Sequence, residues 1–199
     1  MWNEDTMIGY LKDNLKEERF IHSIGVRDVA QKLASVYDES IMNKARIAGL
    51  IHDCAKNLSD EKLLDLVKKE KFKLDEVTKN NLQLLHGFAG AIIAKNIMKV
   101  EDLDILNAIK CHTTGKENMS ILEKIIYLSD FIEPSREFHG VDSIRELAFE
   151  NLDEAVIKAF DSTINYVIAK KGLLHKDTIF ARNYMILKKF KRWDSDDKE

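Results

Sequence analysis

The sequence predicts an all-α protein on three observations. Its 199 residues contain a single proline and eight glycines, too few breakers for a chain of many short strands. No Asn-Gly or Asp-Gly pair marks a hairpin, and no run of period-two alternation is convincing. Apolar residues instead recur at helical spacing along almost the whole chain.

Taken in order, that spacing predicts helices over 3–15, 17–38, 42–55, 60–71, 84–100, 103–113, 120–133, 143–149, 152–170 and 176–192. The second places His22 on one face with Gly25 and Val26, at i+3 and i+4. The third holds the apolar run AGLIHDCAKNLS, 48–59, where His52 and Asp53 stand side by side and His52 shares a face with Gly49 and Ala48. Leu58 and Leu63 can staple the fourth helix, which opens at Ser59. His86 sits near the start of the fifth beside Ala89 and Gly90, and His112 ends the sixth with Ile109 and Ala108 behind it. Ser120 and Glu123 make a capping box for the seventh, in which Asp130 shares a face with Ile126 and Tyr127. Ser143 and Glu146 suit a second box for the eighth. The last helix runs into KKFKRWDSDDKE, 188–199, basic and then acidic, which is expected to be a solvated helix end and a frayed tail.

With 45% apolar residues and no repeat, linker or composition shift, residues 1–199 are expected to form one domain around one sizeable core. A net charge of -3 gives no general attraction to nucleic acid or to an anionic membrane. The N-terminus carries two acids before any apolar stretch, and nowhere do 18 uncharged apolar residues run together. Neither a signal peptide nor a membrane span is therefore expected, and the protein reads as cytoplasmic. Cys54 and Cys111 are too few for a disulfide framework and read as two buried thiols.

The chemistry lies in the histidines and aspartates. A single histidine on an apolar face is ordinarily a hydrogen-bonded core residue, but His22, His52, His86 and His112 all have inward neighbourhoods. A small residue stands beside each, so helix backbones can approach closely enough to share a site. Asp53 and Asp130 interrupt the two most apolar helices, and a buried carboxylate needs a cation. With four histidines available, a divalent metal fits that need better than an arginine or lysine. His139 and His175 fall in turn-like stretches and are left out of the set.

The order His22, His52-Asp53, Asp130 resembles the HD superfamily of metal-dependent phosphohydrolases. The stretches HSIGV at 22–26, HDCAK at 52–56, HGFAGA at 86–91, CHTTG at 111–115 and YLSDFIEPSR at 127–136 are similar to the YqeK family of bacterial symmetrical diadenosine tetraphosphatases. The resemblance runs over residues 8–190 or so and implies a single helical HD-domain bundle, iron as the metal and a dinucleoside polyphosphate as substrate. One departure is His139 before Gly140, where that family carries a proline.

Ligand counting leads to the same chemistry without the family. His22, His52, Asp53 and Asp130 satisfy one metal, leaving His86 and His112 surplus. A second metal on that pair, sharing Asp53 as a bridge, uses all six groups and can clamp a phosphoryl group and activate water. One metal, with His86 and His112 as phosphate donors or a proton relay, is the alternative. Ligand chemistry alone admits iron, manganese, cobalt or zinc. Lys56 on a continuing helix points to the ligand side, and Arg136 after Pro134 offers a planar fork, so both are expected to bind phosphate and support catalysis. Thr113 and Thr114, ahead of Gly115, either turn their hydroxyls toward substrate or simply end the helix. With the substrate that the resemblance implies, the expected activity is hydrolysis of diadenosine tetraphosphate to two ADP by metal-bound hydroxide. Another nucleotide phosphohydrolase, or a noncatalytic HD-type binding module, is the alternative. A homodimer is compatible with the sequence.

Overall fold

The computed structural model describes residues 1–70 and 73–196, with backbone alone for 191–196. Among these residues there are helices and turns but no strand. The helices are α1 Glu4–Asn14, α2 Glu17–Tyr37, α3 Met42–Ile51, α4 Asp60–Lys69, α5 Glu76–Asn80, α6 His86–Asn96, α7 Leu103–Cys111, α8 Ile121–Ile132, α9 Val141–Glu150, α10 Leu152–Ala169 and α11 Lys176–Asp196. Single 3-10 turns stand at Glu39–Ile41 and Leu82–Leu85. Among the described residues no helix is long and apolar enough to cross a membrane.

The caps explain most boundaries. Ser59 accepts from Lys62 N and opens α4, and Ser120 with Glu123 forms the full capping box of α8. The expected box at Ser143 does not form. Helix α9 begins earlier, at Val141, because Gly140 takes a left-handed conformation (φ 89°) as its N-cap, and the Ser143 hydroxyl donates to Gly140 O instead. Helix α3 stops at Ile51, short of the expected residue 55, and His52–Asn57 continue as tight turns. The expected helix over 84–100 is α6 alone, preceded by a 3-10 turn and ended at Asn96. Helix α5 was not legible from spacing. It is five residues long and held by Asp75, whose carboxylate accepts from Val77 N and Thr78 N. The expected frayed tail falls largely on residues 191–199, of which 197–199 lie outside the described residues.

A bundle of α2, α3, α7 and α8 forms the centre, with α6 laid on α7 and α4 packed on α6. On the other side α10 packs on α8, flanked by α9 and α11. One continuous buried cluster runs from Met7 to Met185 and includes Leu50, Ile109, Ile125, Ile126 and Phe160. Glycine sets the closest approach. A Cβ on Gly49 would lie 3.0 Å from Arg27 Cα, and one on Gly87 would lie 2.9 Å from Lys110 O. Larger residues there would push α2 off α3 and α6 off α7. Both cysteines are buried and unpaired.

Candidate metal centre

The bundle brings all six expected ligand residues to one place. His52 and His112 are the C-cap residues of α3 and α7, and Asp130 lies in the last turn of α8. Three helix C-termini, the negative ends of their peptide dipoles, therefore face one point, a field that favours a cation. His22 reaches the same point from the second turn of α2, and His86 from the first residue of α6. Asp53 follows His52 in a turn closed by Lys56 N donating to Asp53 O. The four histidines and Asp53 are each at most 4% exposed.

Asp53 divides the set. Its Oδ2 lies 3.5 Å from His52 Nε2 and 3.9 Å from His22 Nε2. Its Oδ1 lies 3.1 Å from His86 Nε2 and 3.5 Å from His112 Nε2. Within each pair the ring nitrogens nearly touch, 3.3 Å for His22 and His52 and 3.0 Å for His86 and His112. Asp130 Oδ1 joins the first pair, 3.0 Å from His22 Nε2 and 3.9 Å from His52 Nε2.

The outward nitrogens decide what the inward ones carry. His52 Nδ1 donates to Gly49 O at 2.7 Å, His112 Nδ1 to Ile109 O at 2.7 Å, and His86 Nδ1 to Gln83 O. His22 Nδ1 donates to Glu133 Oε1 at 2.9 Å. With Nδ1 holding the proton, a neutral ring turns a bare lone pair on Nε2 toward the centre. Two lone pairs at 3.0 Å repel unless a cation sits between them. Asp53 Oδ1 is buried and accepts no hydrogen bond, a cost that coordination removes. Two triads, His22–His52–Asp130 and His52–Asp53–His112, have ligand atoms close enough to share an ion. The residues thus fit divalent metal binding, with imidazole and carboxylate donors suited to a transition metal.

Burial pushes the His52 and His86 imidazoles down, toward the neutral form that ligates. It opposes His112 too, but Asp53, Asp130 and the Ile109 carbonyl together raise that ring. Burial also works against ionising Asp53 and Asp130, yet the facing histidines hold both carboxyls well below the usual range. Both therefore stay anionic at neutral pH.

Around this centre the structure sorts the remaining expected residues. Lys56 reaches it without a continuing helix. The turn after Asp53 carries its Nζ to 3.4 Å from His86 Nε2, and burial lowers its pKa. Arg136 has a partner within the chain: its Nη2 bonds Asp130 Oδ1 at 2.6 Å and its Nε bonds Asp130 O at 2.8 Å. Thr113 Oγ1 lies 3.2 Å from His86 Nε2. Thr114 does not join the centre. Its hydroxyl donates to Gly115 O, and it borders a separate cleft with His175. Gly115, at φ 68°, ends α7 in the left-handed conformation, so this stretch serves partly as a helix stop.

Two residues were missed by sequence reasoning. Arg19 Nη1 bonds Asp53 Oδ2 at 2.8 Å, and its position three before His22 put it on the same helix face. Glu133, 1% exposed, follows Asp130 at i+3 and accepts from both His22 Nδ1 and Ser135 N. A carboxylate behind a ligating histidine fixes its tautomer and orientation.

Two clefts open from the centre, of about 290 and 400 Å³. Arg19, Lys56 and Arg136 border both, a cationic ridge between them. Asp53, His86 and His112 floor the first, and His22 borders the second.

Comparison with known proteins agrees with this geometry. Residues 19–135 match the HD domain family. Over 185 residues the chain is 36% identical to the symmetrical bis(5'-nucleosyl)-tetraphosphatase of Halalkalibacterium halodurans, spanning 93% of this chain and 98% of that protein. The protein of the same name from Bacillus subtilis is 35% identical over 184 residues, or 92% and 98% of the two chains. A crystal structure from Clostridium acetobutylicum, described as a predicted HD superfamily hydrolase involved in NAD metabolism, superposes with a TM-score of 0.91 at 52% identity, covering 94% of this chain and 99% of that one.

Proposed function

The chain belongs to the HD-domain proteins and, within them, to the YqeK family of symmetrical bis(5'-nucleosyl)-tetraphosphatases, and from that premise we propose that it hydrolyses diadenosine tetraphosphate at the central anhydride to give two ADP. The observation that supports the reading is the division of Asp53 between two histidine pairs, Oδ2 toward His52 and Oδ1 toward His86, an arrangement in which one carboxylate would serve two ions.

His22, His52, Asp130 and Asp53 Oδ2 would hold one ion, and His86, His112 and Asp53 Oδ1 the other. Iron is the first choice for both, with manganese, cobalt and zinc suited to the same donors. A divalent pair, when bound, supplies Lewis-acid charge at phosphoryl oxygens and lowers the pKa of water toward neutrality.

The chain's own residues do the rest. The four Nδ1 anchors hold each imidazole so that its lone pair faces inward. Two divalent charges offset by Asp53 and Asp130 leave about +2, against about four negative charges on a tetraphosphate bridge. Arg19, Lys56 and Arg136 supply the difference from the ridge, where they can hold phosphates on either side and set the register of the cut. Thr113 offers a hydroxyl beside His86.

The same proposal takes residues 1–199 as one HD-type unit, supported by the single buried cluster from Met7 to Met185. A homodimer and a cytoplasmic location also belong to it. The exposed Tyr166, Leu173, Phe180 and Leu187 support the first, and the two unpaired buried thiols the second. Chromatography of the products of diadenosine tetraphosphate tests the reaction. ADP as the sole product supports the reading, whereas equimolar ATP and AMP, or no turnover by metal-loaded protein, rejects it.

A further inference from the structure

The two clefts differ in chemistry although the proposed substrate has two identical ends. The first is walled by Tyr127, Phe131 and Phe138, with Thr163 beside them. Phe131 and Phe138 meet edge to face at 4.9 Å, and Phe138 is 37% exposed on the loop after α8, so an apolar ring stands open to a ligand. The Tyr127 hydroxyl is paired with Thr163 Oγ1 at 3.4 Å. The wall therefore presents ring surface and hydroxyls, with the metal centre at its foot. Among the described residues the second cleft is lined by no Phe, Tyr or Trp. Beyond the shared ridge it is lined by Lys16, Glu18, His22, Asn57 and Ser135.

A nucleobase gains affinity by stacking on an aromatic face, and a polyphosphate gains it from cations. Resting on the proposed reaction, we infer that the site grips only one nucleoside, against Phe131 and Phe138, while the second cleft receives phosphates. The far nucleoside then contributes little. A nucleoside 5'-tetraphosphate, which lacks it, is accepted as substrate. Its terminal phosphate carries about one more negative charge than an esterified one and meets Lys16 as well as the ridge. The reaction is adenosine 5'-tetraphosphate plus water giving ADP and pyrophosphate. The central P–O bond breaks, the water oxygen joins one phosphorus, the bridging oxygen leaves on the other, and a proton is released to solvent.

The test compares adenosine 5'-tetraphosphate with diadenosine tetraphosphate on the same metal-loaded protein. The inference expects ADP and pyrophosphate from the first, with kcat/KM within about tenfold of that for the second, because the lost contacts are solvent-side. Turnover of diadenosine tetraphosphate with adenosine 5'-tetraphosphate slower by a hundredfold or more, about 2.7 kcal/mol, overturns the inference and leaves the proposed function standing. Turnover of neither overturns both.

Calorimetry locates the grip independently of turnover. Phe138→Ala should weaken ADP binding about tenfold while inorganic tripolyphosphate binds as before, and Phe138→Trp should restore ADP affinity. Equal ADP affinity in wild type and Phe138→Ala overturns the aromatic assignment.

Discussion

His22 Nδ1 donates to Glu133 Oε1 at 2.9 Å, and Glu133 is itself fixed by Ser135 N at 2.8 Å. The pair locks one imidazole in the ligating tautomer from three residues beyond Asp130. A Cβ on Gly25 would come within 2.7 Å of Glu133 Oε2, so the small residue beside His22 also makes room for this carboxylate.

Glu133→Gln should leave the fold intact and weaken metal affinity about 10- to 100-fold, because the amide loses the charge that favours the Nδ1–H tautomer. Metal titration followed by activity and by metal retention on gel filtration measures this. Wild-type retention would show that Glu133 only braces the turn. Gly25→Ala should have a similar effect through displacement of the same side chain.

Arg136, expected to face phosphate, borders both clefts while its Nε and Nη2 bond Asp130. Arg136→Lys keeps the charge and loses the planar pair of donors. Its kcat/KM should fall about 10- to 100-fold, with metal affinity reduced as well because Asp130 is less well held. A rise in KM with metal content unchanged would assign Arg136 to substrate alone.

Arg46 binds the Glu4 carboxylate through two nitrogens, at 2.6 and 2.9 Å, with Arg27 adding a third bond at 3.0 Å. The Arg46 hydrogen bond holds the Glu4 carboxyl below its ordinary value of 4.5. The unfolded chain therefore binds the proton more readily, so this contribution is present above about pH 4.5 and is lost as pH falls through the depressed folded value. Glu4→Gln should lose about 1–2 kcal/mol in urea unfolding at pH 7 and converge toward wild type in strong acid. An equal loss at both pH values would point to packing rather than charge.

The helices and the grouping of the six histidine and aspartate residues were legible because they rest on local rules. Helical spacing recovered ten of the eleven α-helices among the described residues, and Gly49 beside His52 and Gly90 beside His86 marked faces where backbones approach. What failed was what spacing does not encode. The apolar pattern runs on past Ile51, so nothing local announced that His52 and Asp53 leave the helix in turns, or that Lys56 reaches His86 from one. Gly140 shifted the start of α9 by backbone conformation, which side-chain patterning does not carry. Arg19 and Glu133 each lay three residues from a named ligand. Charged residues at that spacing are ordinarily solvated, and only the tertiary meeting of α2 with the turn after α3, for Arg19, and with the end of α8, for Glu133, turns them inward.

The central claim is that Asp53 serves two ion positions at once, and metal content per chain tests it most directly. Protein purified without chelator and measured by elemental analysis should approach two transition-metal ions per chain. His86→Ala should retain about one, and Asp53→Ala should lose both because the shared anionic ligand is gone. A firm value of one in the wild type, unchanged by His86→Ala, would contradict the account and leave His86 and His112 as hydrogen-bonding residues beside a single ion.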